Sequence, residues 1–483
     1  MTAAFLLALA ATPAAAQVSS FGPMFNGDLP PLDGALLRDG LPMRGAPRAA
    51  RRPMRPSAAV ALLPSPEAFR QEEGSVEDPP ALERRSPERE ESPQRLRDVD
   101  FSKLRTSDFL PSGFLSGGGF EPQLSMAVSS TYNDNLFARD ENAVSDFFLS
   151  LAPGAEIRSN WANHALAVDA ELRDRRHART SREDSTGFRL GAEGRLDIRR
   201  DSRLEARVRR LREHQSRADT EERGGSRPTP VDRLAAEVTG GQEFGRLELS
   251  FRGSYESFDF GNVPDPQGGV IRNDDRDRTE TDFGGRAALR MSSDLAIYLE
   301  AVSGKRDFER LSSDFGLDRS SRVYEFILGS TFATRGFRHG EAYLGVRRQK
   351  FDDPLALPAA GLVSGLHLQA DLTPLTSVVF DSLRSLEVTT VASEVSVFAT
   401  QLDLRLAHEA TRDLTMGLAL HVLREEFVNV DREDLTLGLG VDAAYALNPN
   451  VHLVFDYDFT ARDSTLGTEF RRNRATLGLE MHY

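Results

Sequence analysis

Cysteine is absent from this chain of 483 residues. That excludes disulfides and thiolate metal sites, and it is compatible with an oxidising envelope compartment. No run of 18 apolar residues occurs, so no transmembrane helix is expected. Lysine is nearly missing: Lys103, Lys305 and Lys350 are the three, and almost all positive charge is arginine. Tryptophan occurs once, at Trp161. The repeating signature of a soluble propeller is therefore lacking. A formal net charge of -14 argues against a nucleic-acid partner, which needs a basic face. A nucleophile elbow (G-x-S-x-G) and a zinc-binding H-E-x-x-H are both missing, so no catalytic residues are assigned. No cofactor is implied.

What is present is a period. Turn signals recur about every 40 residues at Asn160, Asp201-Ser202, Phe244-Gly245, Ser292–Asp294, Thr334–Gly336, Thr373-Pro374, Thr411–Asp413 and Asn448–Asn450. Between them the chain alternates apolar and polar residues, with a polar break near each midpoint. Each unit is thus two strands of roughly 10 residues or more, long enough to cross a bilayer at a tilt. The alternation is plain in Leu247, Leu249, Phe251 and Tyr255 against Arg246, Glu248, Arg252 and Glu256. It recurs in Val451, Leu453, Phe455, Tyr457 and Phe459 against His452, Asp456 and Asp458. A hydrophobic fraction of 39% and a mean hydropathy of -0.40 do not contradict a membrane protein, because lipid-facing and lumen-facing residues cancel in the average. The fold predicted is all-β, a transmembrane antiparallel up-and-down barrel of about eighteen strands, with sixteen as the alternative. The short-turn end, carrying both barrel termini, is periplasmic in this class.

Three regions follow. Met1–Ala16 reads as a signal peptide, with an apolar core at Phe5–Ala11 and small residues before Gln17. Residues 17–118 hold 14 of the chain's 25 prolines, together with RAARRPMRP and the mixed-charge run ERRSPEREESPQRLRD. Such a segment buries too little to offset its conformational entropy and is expected to be disordered. It is a linker or a tether for a periplasmic partner. Residues 119–483 form the barrel.

If the apolar face meets lipid, the polar face lines the lumen, and a barrel this wide holds water. Strands three to eight are predicted to direct Arg173, Arg175, Arg189, Arg195, Arg199, Arg203, Arg207, Arg209, Arg246, Arg252, Arg286 and Arg290 inward, with Glu171, Glu193, Glu205 and Glu248 interspersed. The last strands direct Asp442, Asp456, Asp458 and Glu480 inward. Opposed basic and acidic walls set up a transverse field, and arginine rings favour anions. The same residues also make a salt-bridge lattice, and both readings stand. His452 and His482 with Glu480 offer the donors of a divalent metal, but a histidine pair at a wet rim is more often unliganded, and no metal is assigned. The polar loops 217–230, 261–277 and 310–319 lie at the outer end. Asp274, Asp275 and Asp277 miss the EF-hand spacing.

The first hairpins carry a more specific pattern: Tyr132, Asn133, Asp134, Asn135, Leu136 and Phe137, then Pro153-Gly154, Ser159, Trp161, His164 and Leu166. This resembles the outer-membrane β-barrel porin family of proteobacteria, whose members are tied to exopolysaccharide or capsule export. The resemblance implies a porin-like channel in the outer membrane of a Gram-negative bacterium. Its cargo would be a polysaccharide or a small polar or anionic solute; the alternative is a plugged barrel that scaffolds a secretion assembly. Its partners would be outer-membrane lipids and lipopolysaccharide. The last strand, ending in the aromatic Tyr483, resembles the signal read by the barrel-assembly machinery. Pro153-Gly154 is expected to make a bulge or bend, and Trp161 to anchor at the periplasmic interface.

Overall fold

A computed structural model describes residues 119–199, 201–312, 316–334, 337–391, 394–428, 430–467 and 469–482. The signal-peptide expectation at Met1–Ala16, the 17–118 region and Tyr483 lie outside them.

The strands are β1 (Phe120–Asn133), β2 (Asp146–Ser159), β3 (Ala165–His177), β4 (Ser185–Arg199), β5 (Ser202–His214), β6 (Pro230–Phe244) and β7 (Leu247–Phe260). A small hairpin follows, β8 (Val263–Pro264) and β9 (Val270–Ile271). Then come β10 (Arg278–Arg290), β11 (Leu295–Phe308), β12 (Ser321–Phe332), β13 (His339–Phe351), β14 (Ala359–Thr373) and β15 (Thr376–Val388). The last are β16 (Ser396–Glu409), β17 (Leu414–Phe427), β18 (Glu433–Asn448), β19 (Val451–Ser464) and β20 (Phe470–His482). All but β8 and β9 belong to one 18-stranded antiparallel sheet, and pairing of β1 with β20 closes it into a barrel. Closure leaves no strand edge to lipid, which is the condition for a sheet to span a membrane.

Side-chain period fixes the faces. Phe283, Leu299 and Phe326 point outward and are more than 60% exposed, whereas their strand neighbours Gly284, Glu300 and Glu325 are buried. A one-residue slip would put the acids against lipid, so register is strongly determined. Three of the short turns carry a register shift, at Asp197/Arg199, Asp371/Thr373 and Ala446/Asn448. Inside the lumen, aromatic rings lie over cross-strand glycines. A Cβ on Gly329 would come within 2.2 Å of the Tyr298 ring, and one on Gly365 within 2.0 Å of the Tyr343 ring.

Pro153-Gly154 does not form a bulge. The β1–β2 register runs through Met126↔Pro153 and Ser125↔Gly154 without a shift. Only the pairing to β3 lapses, between Leu151 and Gly154, as expected where proline has no N–H to donate. Trp161 lies in the short β2–β3 turn, 43% exposed, with its ring packed edge-on against Phe120 at 5.4 Å.

Candidate functional site: the outer mouth and the lumen wall

The loop 215–229, between β5 and β6, folds over the mouth of the barrel. Its Glu221 accepts hydrogen bonds from the Thr389 hydroxyl at 3.0 Å and the Thr390 backbone N–H at 2.7 Å. Those threonines follow β15. Six barrel strands separate the two hairpins one way round (β7, β10, β11, β12, β13 and β14) and eight the other (β4, β3, β2, β1, β20, β19, β18 and β17). The contact therefore bridges nearly opposite sides of the opening.

The bridge is held by a buried polar network. Arg276, fully buried, places its guanidinium 3.5 Å from the Glu221 carboxylate and donates to the Gln215 side chain at 2.9 Å. The same guanidinium lies 3.9 Å from the centre of the Phe260 ring. Gln215 in turn donates to Asp219 at 2.8 Å. Burial, reinforced by the neighbouring Glu221 charge, pushes the Asp219 carboxyl up to about 7. Burial also acts to raise Glu221, but Arg276 and the threonine donors outweigh it and hold that carboxyl below its ordinary value. Arg217 anchors the loop's near end, donating to Glu183 at 2.6 and 3.0 Å and to Glu222 at 2.8 Å, with its guanidinium 5.8 Å from the Phe137 ring. Arg223 grips Asp275 through two bonds of 2.9 and 3.0 Å, tying the loop to 261–277.

The acids of 261–277 serve this packing. Asp274 pairs with Arg310 at 3.1 Å, and Asp277 accepts the Phe260 N–H at 2.7 Å. Burial raises Asp277 to about 6, with Asp259, Glu309 and Asp274 adding to the effect.

Below the mouth, the lumen faces of β3, β4 and β5 carry Arg173, Arg175, Arg189, Arg195, Arg199, Arg203, Arg207 and Arg209 against Asp169, Glu171, Glu193, Asp197 and Glu205. Cations outnumber acids there. Arg207 lies 3.3 Å from Glu193 and 3.9 Å from Glu237; Arg203 lies 3.7 Å from Glu205. Arg173 pairs with Glu171 and Arg252 with Glu237. Arg290 lies 3.5 Å from Glu243. Arg246 sits exposed in the turn before β7 rather than within a strand. Arg286 is deeply buried between Glu300 at 2.7 Å and Glu341 at 3.3 Å, and its guanidinium lies 3.8 Å from the centre of the Tyr298 ring.

On the far wall Asp442 stands opposite Asp456, with Asp458 3.8 Å from Arg474. Sequence reasoning named the acids here and missed Arg462, Arg472 and Arg474, buried on the same face. Their even positions in β19 and β20 were the available signal. His452 stands opposite Glu480, both buried, and its ring centre is 6.0 Å from that of His482. Among the described residues, no group of three or more histidine, cysteine or acidic side chains is placed to hold a metal ion.

The asparagine-rich motif pins the barrel seam. Asp134 accepts the backbone N–H and side-chain amide of Asn473, each at 2.7 Å. The Asn135 amide donates to the carbonyls of Arg139 at 2.7 Å and Arg471 at 2.9 Å. Asn133 accepts the Asn135 N–H at 3.0 Å. Leu136 is buried, Tyr132 packs outward on Phe147, and Phe137 forms the platform beneath Arg217.

The family described as Putative beta-barrel porin 2 matches residues 111–483. The chain belongs to that family. This porin is an outer-membrane protein of a Gram-negative bacterium, and its family and fold are those of a channel. No curated protein matches it significantly. Among solved structures, the porin is similar to the outer membrane protein opdK of Pseudomonas aeruginosa, at 10% identity and a TM-score of 0.42, covering 75% of this chain and 99% of that one. It is similar to OccK9 (OpdG) of the same organism at 13% identity and a TM-score of 0.42, with coverage of 75% and 99%. The siderophore receptor PirA of P. aeruginosa follows at 7% identity and a TM-score of 0.39, covering 75% and 80%. Likeness of that degree says nothing about what passes through this barrel.

Proposed function

We propose that this porin is a gated channel for polar, anionic cargo, closed at its outer mouth by the loop 215–229. The observation that carries the reading is the Glu221–Thr389/Thr390 bridge above a wall in which arginines outnumber acids. Basic residues in a confined, partly desolvated pore concentrate anions. The cargo is a small acidic solute, or an acidic polysaccharide strand that threads once the bridge is released; the family resemblance supports the second.

A plugged scaffold is the other reading. It is favoured by the burial of lumen-facing Glu325, Arg347, Gln349 and His452. In that case residues 17–118 bind a periplasmic partner of a secretion assembly.

Single-channel recording of the refolded full chain in a planar bilayer separates the two. Stable steps with anion preference support the gated channel. A folded barrel that stays silent, even with the bridge removed by Glu221→Ala, overturns it in favour of the scaffold.

A further inference from the structure

The lipid-facing wall carries a second feature that a pore does not need. On the outer ends of β11, β12 and β13, Lys305 stands opposite Arg322, and Arg322 opposite Lys350. Arg348 lies two residues further in, opposite Tyr324. All four cations are exposed. Two of the chain's three lysines are in this cluster. Lys305 pairs with Asp307 at 2.5 Å. Arg322, Arg348 and Lys350 hold no ion pair or hydrogen bond among the described residues. Of the two acids that follow β13, Asp352 is exposed, and Asp353 accepts the backbone N–H groups of Asp318 and Leu355. Like charges directly opposite one another weaken a sheet.

Elsewhere towards the same rim Arg210 and Arg471 stand singly, and four other outward arginines are neutralised by the protein itself. Arg176 meets Asp174 at 2.6 Å, Arg212 meets Asp232 at 2.5 Å, Arg384 meets Glu426 at 3.0 Å and Arg424 meets Glu433 at 2.7 Å. The cluster on β11–β13 is thus built to meet an anion from outside.

An apolar groove of about 700 Å³ opens on these strands and their neighbours. Gly285, Ala287, Leu299, Ala301, Phe326 and Leu344 are among the residues that line it. Ala301, Phe326 and Leu344 each lie four residues inward of Lys305, Arg322 and Arg348, roughly 13 Å along the strand and about 10 Å in depth at the tilt of barrel strands. The cations therefore sit at headgroup height, with the groove at acyl-chain depth.

We propose that this wall seats one phosphorylated, multiply acylated glycolipid of the outer leaflet, of lipid A chemistry. Its phosphate lies on Arg322, Arg348 and Lys350, and an acyl chain lies in the groove. Each cation near an anionic lipid surface contributes independently, and a bidentate guanidinium–phosphate contact adds geometric selectivity. The site rests on the outer-membrane location and not on the proposed pore function.

The test is native mass spectrometry of the refolded full chain in detergent, titrated with bisphosphorylated lipid A. Wild type is expected to retain one lipid. The triple variant Arg322→Ser, Arg348→Ser, Lys350→Ser should bind on the order of a hundredfold more weakly. Ala301→Trp, which fills the groove and leaves the cations in place, should weaken binding separately. Arg210→Ser with Arg471→Ser, also exposed outward, should bind as wild type. Because the triple variant removes like-charge repulsion, it should be no less heat-stable than wild type in lipid-free detergent, which separates lost binding from lost folding. Equal binding by wild type and the triple variant overturns the site. So does equal retention of dephosphorylated lipid A, or displacement by millimolar inorganic phosphate, which would mark a site for free anions.

Discussion

Glu221 accepts the Thr390 backbone N–H at 2.7 Å from a loop on nearly the opposite side of the barrel. The bond spans the outer mouth, and its strength depends on Arg276, which is buried and needs a counter-charge. Removing one member of a buried ion pair costs on the order of 3 kcal/mol, because the other charge is left uncompensated. Glu221→Ala should therefore raise the open-to-closed ratio by roughly a hundredfold. Single-channel recordings read this as longer open dwell times at unchanged unit conductance. An unchanged dwell-time distribution would show that the loop does not gate.

The same bridge should respond to pH. Asp219 is raised to about 7 in the latched mouth by burial and by Glu221, against roughly 3.9 when the loop is released. An acid raised in this way favours the latched state only while protonated. That support declines as pH climbs from about 4 and is gone above 7. Glu221 has the opposite sign: its carboxyl is held low, so its contribution is present above the ordinary carboxylate range and lost on acidification. The other charges facing the pair are Arg276 and, on β17, Glu425. Open probability should rise between pH 5 and 7, by up to about tenfold per unit, and then level off. Asp219→Asn should flatten that slope. A slope that persists in the variant would assign the titration to another group.

The proposed charge selectivity is assigned to the wall beneath. Arg203 and Arg207 remain partly accessible, and Arg209 lies on the same face of β5. Replacing all three with serine leaves Glu193, Glu205 and Glu237 without these partners. The zero-current potential in a tenfold salt gradient should move from anion preference toward cation preference. If it does not move, the cationic excess on β3–β5 does not control permeation.

Strand architecture was legible because a barrel writes its faces into the sequence at period two. The alternation of Leu247, Leu249, Phe251 and Tyr255 falls within Leu247–Phe260, and that of Val451, Leu453, Phe455, Tyr457 and Phe459 within Val451–Ser464. The mouth was not legible. Arg217, Asp219, Glu221 and Arg223 read as a solvated polar loop, since contacts between loops far apart in sequence have no period to announce them. The β8–β9 hairpin inside 261–277 is too short to alternate. The far wall differs from its expectation for another reason. Arg462, Arg472 and Arg474 share the face of its acids, so the charge segregation is less sharp than those acids alone imply.

The motif Tyr132–Phe137 suggests a role in holding the barrel closed rather than in recognising cargo. Asn135 makes two amide bonds to backbone carbonyls and accepts the Arg139 N–H at 3.1 Å, and one of those carbonyls belongs to Arg471 of the last strand. The residue is 2% exposed, so truncation leaves buried backbone groups unsatisfied. At about 1 kcal/mol for each neutral bond, Asn135→Ala should destabilise the seam by roughly 2–3 kcal/mol. The β1–β20 junction is where first and last strands must find each other, so the loss should appear in assembly as well as stability. The folded form should lose its compact gel migration at a lower temperature than wild type, and refolding should be slower. The anion preference of barrels that do fold should be unchanged, because Asn135 lies away from the arginines of β3–β5. Altered selectivity with normal heat stability would instead place the motif on the permeation path.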